Sequence, residues 1–229
     1  RPIVNLLPLE KDERIQAVLP VKEFNDDQFI FMATESGSVK KTKLSAYSRP
    51  MRSGIKAIKL REGDRVVNAE ITDGSKEIML FSNSGKSIRF KESDARPMGR
   101  VSQGVRGMRI EKDQKIISLV VIEEGNILVA TENGYGKQTL KDEFSIQKRG
   151  GKGVIAIQTS KRNGNLIGAN QVCTGDEVMF ISTSGNLIRT RTDDISVIGR
   201  NTQGVRLIRL SEDDKLLAME KVISEDDEE

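Results

Sequence analysis

The chain has 229 residues, with 37 Lys and Arg against 34 Asp and Glu, one Cys, and neither His nor Trp. That length allows one or two domains with a real core, and no apolar run nears the roughly 20 residues of a membrane-spanning helix. The lack of His excludes histidine triads, His-containing zinc sites and H-E-x-x-H proteases, while a lone Cys173 excludes a disulfide scaffold and suits a reducing compartment.

Taken in chain order, the sequence is a repeat. Residues 2–9 (PIVNLLPL) and 14–21 (RIQAVLPV) read as the third and fourth strands of a half unit spanning 1–28. The sequence therefore opens in mid-repeat and is expected to be a piece of a longer chain. Four full units follow, starting near 29, 77, 126 and 176. Each opens with a short apolar run: FIFMAT, EIMLFS, NILVAT or EVMFIS. A Ser-Gly or Asn-Gly pair then marks a hairpin at Gly37, Gly85, Gly134 and Gly185, with separations of 48, 49 and 51. A second glycine set (Gly54, Gly104, Gly153, Gly204) precedes third strands IKAIKL, VRGMRI, VIAIQT and VRLIRL. Fourth strands begin at Arg65, Lys115, Asn165 and Lys215. Four short Val- and Ile-rich strands per unit, repeated, predict an all-β, propeller-like disc over 1–224. The acidic end, Glu225 to Glu229, predicts a solvated tail that could compete for a cationic surface.

Charge repeats in register with these units. Residues 36–61 carry eight cations and no acid, and 85–110 and 134–162 are each net +5. Residues 185–210 are net +3. The turn after the third strand is acidic in three units (Glu62 and Asp64, Glu111 and Asp113, Glu212 to Asp214). Charge on a surface is usually mere solvation, but sign segregation at every repeat predicts a cationic belt around one rim, suited to duplex DNA. Nine aromatic residues, several inside apolar runs, leave few for stacking single strands. With no recognition helix, binding is expected to ignore base sequence.

Candidate phosphate contacts, chosen from second-strand and loop positions, are Lys41, Lys43, Arg49, Arg52, Arg89, Lys91, Arg96, Arg100, Lys137, Lys148, Arg149, Lys152, Arg189, Arg191 and Arg200. The stretch Gln147-Lys148-Arg149-Gly150-Gly151-Lys152-Gly153 is no Walker A loop, and reads as a mobile basic loop touching DNA. The equivalent loops, Ser48–Gly54, Arg96–Gly104 and Gly199–Gly204, keep a terminal Gly and one to three cations. No catalytic or metal-ligating set stands out, and neither Tyr47 nor Tyr135 is given a catalytic role.

QKRGGKG (147–153), RPIVNLLPLE (1–10), FMATESGSVKKT (31–42), IMLFSNSGKSIRFKES (78–93), NGYGKQT (133–139) and SVIGRNTQGVRLIR (196–209) resemble the C-terminal domain of DNA gyrase A over nearly the whole chain. QKRGGKG is similar to that family's gyrase A box. In the family the box lies in the first blade, upstream of RPIVNLLPLE; here it stands in the third full unit, as a second, box-like copy. The resemblance implies a β-pinwheel, a disc whose blades exchange strands with their neighbours. It implies a domain that wraps duplex DNA so that ATP-dependent strand passage introduces negative supercoils. It further implies a bacterial cytoplasmic, nucleoid-associated protein with no membrane, partnered by the rest of gyrase A and by gyrase B as an A2B2 complex. ATP and Mg would act in other domains, with no cofactor here. The alternatives are the related domain of topoisomerase IV and a protein-docking propeller, for which an apolar top surface would be expected.

Overall fold

The computed structural model describes Leu9, residues 13–51 and residues 54–222. Fifteen strands make four small antiparallel sheets. The first holds β1 (Phe29–Thr34), β2 (Ser38–Lys43), β3 (Val66–Thr72) and, from the next unit, β6 (Val105–Arg106). The second holds β4 (Glu77–Ser82), β5 (Lys86–Lys91), β7 (Ile116–Ile122) and β10 (Val154–Ile155). The third holds β8 (Asn126–Thr131), β9 (Tyr135–Leu140), β11 (Leu166–Val172) and β14 (Val205–Arg206). The last has three strands: β12 (Glu177–Ser182), β13 (Leu187–Arg191) and β15 (Leu216–Val222).

In every four-stranded sheet the outermost strand comes from the following unit. Val105 pairs with Val39, Val154 with Ser87, and Val205 with Gly136. This exchange is the pinwheel connection, and it corrects the expectation of four long strands per unit. Only two residues of VRGMRI, VIAIQT and VRLIRL pair as strand; the rest lies over the preceding hairpin. There the amides of Gly107 and Met108 both donate to the Gly37 carbonyl, at 2.8 and 3.1 Å. The same fork recurs from Ala156 and Ile157 to Gly85, and from Leu207 and Ile208 to Gly134. Gly37 is needed twice over: its φ is +83°, and a Cβ there would stand 2.5 Å from the Met108 carbonyl oxygen. Residues 55–60 and 14–21 form no strand. A third segment pairs with the second strand of the preceding unit, and none precedes 55–60 among the described residues. Both segments instead cover β1, with Leu19, Val21 and Ala57 against Ile30, Met32, Leu44 and Ile58.

The core lies between blades. Phe31, Ala33 and Val39 of the first unit meet Ile78, Leu80, Ile88 and Phe90 of the second. Met79 and Phe81 turn the other way, to Ile127, Val129 and Phe144. With both faces covered, β4 buries Ile78 to Ser82 without a break, which is why the opening runs are continuously apolar. In β12 only Val178, Phe180 and Ser182 are buried and Met179 and Ile181 are half exposed. No further described blade covers that face. Each buried Phe contributes about 1.5–3 kcal/mol of transfer free energy.

The fourth strands sit innermost. β7 lies against β3 and β11, and β11 against β15. All four line one axial cavity, through Val67–Asn68, Ile117–Leu119, Ile167–Asn170 and Leu217–Glu220. No described helix is long and apolar enough to cross a membrane.

Candidate nucleic-acid interface

Second strands bear the first group of candidate cations, and alternation sends their side chains to the two faces of a sheet that has neighbours on both. Four residues after the hairpin glycine stand Lys41, Arg89, Gln138 and Arg189. Three of the four reach the 3₁₀ turn of the next unit. Lys41 Nζ lies 3.6 Å from the Glu92 carboxylate and 4.9 Å above the Phe29 ring. Arg89 Nη1 donates to the carbonyls of Lys141 and Phe144 at 2.8 and 3.1 Å, with Glu77 as its counter-ion at 2.5 Å. Gln138 Nε2 donates to those of Thr192 and Ile195 at 2.6 and 3.1 Å. Arg189 stands exposed beside Glu177.

One place earlier in the strand stand Lys40 and Lys137. Lys137, 0% exposed, donates to the carbonyls of Gly199 and Arg200 and to Thr202 Oγ1, at 2.5, 2.6 and 3.0 Å. Lys40 does the same for the carbonyls of Ala57 and Arg100. Burial pulls both ammonium groups down to about 8; Arg100 adds to this at Lys40, and Arg200 at Lys137, where Glu143 opposes it. Lys41, Arg89 and Lys137 therefore leave the set of phosphate contacts. Their charge is spent inside the protein, holding one blade to the next, and an ammonium committed to buried carbonyls cannot also meet a phosphate.

The loops hold a second clamp. Arg100, Arg149 and Arg200 occupy equivalent positions, and each Nη1 donates to the equivalent carbonyl of the preceding unit. The acceptors are Lys56 at 3.3 Å, Arg106 at 2.9 Å and Ile155 at 3.1 Å. Arg149 Nε also donates to the Asp94 carbonyl at 2.8 Å. All three arginines are half-buried. The loop 147–153 is accordingly an ordered bridge and not a mobile one. The Gln147 amide donates to Arg89 O at 2.8 Å, the Gly150 amide to Gly107 O at 2.6 Å, and the Arg109 amide to Gly151 O at 2.8 Å. Gly153 lies so close to β5 that a Cβ would sit 2.2 Å from the Ser87 carbonyl oxygen. Its glycines serve blade-to-blade contact, and Lys148 and Lys152 remain exposed.

Of the other candidates, Arg49, Lys91 and Arg96 are exposed. Lys43 is half exposed, 3.6 Å from Asp26, and Arg191 is exposed 3.3 Å from Asp193. Arg52 lies outside the described residues, as does the acidic tail. The outermost segments carry cations that count toward the belt in the sequence but are not among the named phosphate contacts. Lys56 and Lys59, Arg106 and Arg109, and Arg206 and Arg209 are all exposed, while their neighbours Ala57, Ile58, Gly107, Met108, Leu207 and Ile208 turn inward. Within VRGMRI and VRLIRL the two arginines stand three residues apart around an inward-facing pair, and that spacing was the available signal. In the third unit Ile155 and Gln158 take these places, beside Lys148 and Lys152.

These cations share one strip. Lys59 N donates to Ser102 O, Arg109 N to Gly151 O and Gln158 N to Thr202 O, so each outer segment is bonded to the loop of the following unit. The axial side is more acidic. Glu70, Glu123, Glu124 and Glu220, with Lys221, line a second cavity beside the first, Glu123 pairs with Lys76 at 3.0 Å, and burial raises the carboxyls of Glu70 and Glu220 above their usual range.

A sequence model described as "DNA gyrase C-terminal domain, beta-propeller" matches residues 28–73, 76–123, 125–173 and 176–223. The chain belongs to the DNA gyrase C-terminal domain family. The DNA gyrase A proteins of Salmonella typhimurium and of Escherichia coli (strain K12) are each 50% identical over 230 residues, covering 100% of this chain and 26% of the relative. That of Pseudomonas aeruginosa is 46% identical over 266 residues, covering 97% of this chain and 29% of the relative. The chain thus spans about a quarter of the length of these relatives. Among solved structures, a DNA gyrase A C-terminal domain matches with a TM-score of 0.86 at 27% identity, covering 97% of this chain and 75% of that one. The C-terminal domain of DNA topoisomerase IV matches with a TM-score of 0.91 at 28% identity, over 98% and 71%. The gyrase C-terminal domain fold therefore accounts for the exchanged strands and for the four units.

Proposed function

We propose that this domain binds duplex DNA along its cationic rim, independently of base sequence, and bends it around the disc. The observation that carries this reading is the strip of exposed Lys and Arg on the outer segments, continued from unit to unit by backbone hydrogen bonds and free of acids along those segments. Phosphate contacts of this kind position a duplex without reading bases. Bending the duplex through 40–90° costs on the order of 1–6 kcal/mol, which contacts spread over several units must offset. In the longer protein the wrapped segment is presented for ATP-dependent strand passage, giving negative supercoiling by a gyrase of two A and two B chains in the bacterial cytoplasm. ATP and Mg belong to other parts of that assembly.

The test is topological. The domain is bound to closed circular DNA, the DNA is relaxed with a nicking-closing enzyme, the protein is stripped, and the linking number is read. A shift proportional to bound protein supports wrapping; tight binding with no shift overturns it. The match to topoisomerase IV favours a second reading, a domain that holds DNA for decatenation, for which binding without a linking-number shift is the expected result.

A further inference from the structure

The third unit departs from the other three at two neighbouring places. The residue after the hairpin glycine is Ser38, Lys86 and Asn186 elsewhere, but Tyr135 here. The turn after the third segment is acidic elsewhere, but here it reads Ser160-Lys161-Arg162-Asn163. The two departures meet. The Arg162 guanidinium lies 4.8 Å from the centre of the Tyr135 ring, and that of Arg206, from the next unit, lies 5.4 Å from it. Arg206 Nη2 donates to the Tyr135 hydroxyl at 2.8 Å. Hydrogen bonds from Arg162 and then Arg206 hold the phenol below its usual range. Two like charges are thus held at one ring, and neither arginine has a carboxylate within 4.0 Å among the described residues. The ring itself is 6% exposed and fixed, whereas both arginines are exposed. They open on a cavity of about 440 Å³ that Arg209 also lines. Glu212 and Asp214 stand in the same cavity, but Asp214 is bound to the hydroxyls of Thr183 and Ser184.

We infer that Arg162 and Arg206, held by Tyr135, form a seat for a single phosphate group on the rim of the third unit. Cations on an aromatic face gain from the ring quadrupole, which lets two guanidinium groups stay close without an acid between them. Their planar forks keep N–H donors in excess of those used on the phenol, in the geometry that phosphate oxygens accept. Tyr135 is a positioning residue. Arg100, Arg149 and Arg200 spend their donors on backbone carbonyls, and the exposed Lys56, Lys59, Lys148 and Lys152 sit on flexible stems, whereas this pair is held at a ring and still opens on solvent. It therefore sets one point of register between the disc and a duplex. A backbone phosphodiester and free inorganic phosphate share this chemistry; the choice of the former rests on the proposed DNA binding.

The chain has two tyrosines and no Trp, so in a Tyr47→Phe background the emission of Tyr135 reports on the seat. This protein is titrated with a short duplex and, separately, with inorganic phosphate at constant ionic strength. Both are expected to change Tyr135 emission saturably, the duplex at lower concentration. Adding Arg162→Gln and Arg206→Gln should abolish both changes and make the salt slope of duplex binding shallower by about one, the value of one lost phosphate. Lys161→Gln, beside the seat, should leave the emission response intact. Duplex binding with silent Tyr135 emission and an unchanged slope in the double variant overturns the seat and spares the DNA reading. A phosphate response that survives while duplex binding fails overturns the DNA reading and keeps the seat. Silence toward phosphate and duplex alike overturns the seat. Arg162→Gln alone, at an exposed side chain, repeats the test without the double change.

Discussion

Lys137 shows how far a side chain's role depends on what covers it. Three acceptors surround its ammonium group, two of them backbone carbonyls of the next unit's loop. Lys137→Met keeps the length of the stem and removes the donors, so those carbonyls lose their partner. The expected cost is about 1–3 kcal/mol, read by urea unfolding, with the salt slope of DNA binding unchanged. A shallower slope at full stability would instead make Lys137 a phosphate contact. The same lysine has a pH signature. Its folded value of about 8 lies below the ordinary 10.5, so between these values the unfolded chain binds more protons. The contribution of Lys137 is thus fully present above the unfolded value and is lost as pH falls through about 8. Measured from about pH 7.5 to about pH 10, the stability gap between the wild-type chain and Lys137→Met should widen with pH; a flat gap would mean that the ammonium is not desolvated.

At the scale of elements, the hairpin glycines separate two effects that coincide in most units. Gly134 and Gly185 have nearly the same φ, +79° and +82°. A Cβ on Gly134 would stand 2.6 Å from the Ile208 carbonyl oxygen, whereas nothing lies within 4 Å of one on Gly185. Both alanine variants bear the left-handed cost, about 1–2 kcal/mol, and only Gly134→Ala must also push the next unit's segment away. Chemical denaturation should rank Gly134→Ala well below Gly185→Ala; equal losses would mean that the fork onto the hairpin carbonyl is loose. The sequence made the units, the hairpins and the inner and first strands legible, because each rests on local signals: Gly at a fixed spacing and an unbroken apolar run. It overstated the third strands, since VRGMRI has the composition of a strand while its last four residues cover a hairpin. It misplaced Lys41, Arg89 and Lys137 for a related reason. A cation on a second strand faces solvent in a lone sheet and faces a neighbour in a stack of blades, and nothing local distinguishes the two. The arginine clamps at 100, 149 and 200 were legible as loop cations, but their acceptors are backbone carbonyls, which carry no sequence signal. In the outer segments the three-residue spacing of Arg106 and Arg109 around Gly107 and Met108 marks the exposed pair, whereas strand alternation would put the two arginines on opposite faces.

Over the whole molecule, the outer segments and loops carry a run of exposed cations, joined by Lys43, Lys91, Arg189 and Arg191 on the second strands, whereas Glu70 and Glu220 stand on the fourth strands, where burial works against the charged form of their carboxyls. Binding and stability should therefore respond to different positions. Replacing Lys56, Lys59, Arg106 and Arg109 by Gln removes four rim cations and touches no buried side chain. If each neutralises one phosphate, the slope of log K against log salt becomes shallower by about three to four, from about −7 for a rim that engages roughly eight phosphates. Because bending must be offset by contacts along the whole arc, the linking-number shift should fall further than affinity measured on a short, straight duplex. Glu70→Gln with Glu220→Gln makes the opposite comparison. Their folded values are raised, so the protonated carboxyls contribute stability at low pH that is lost as pH rises through those values. The amide variant should match or exceed wild-type stability at neutral pH and leave the salt slope where it was. A slope that moved as much for the axial pair as for the rim four would mean that DNA senses net charge alone, and the disc would then have no rim in the electrostatic sense.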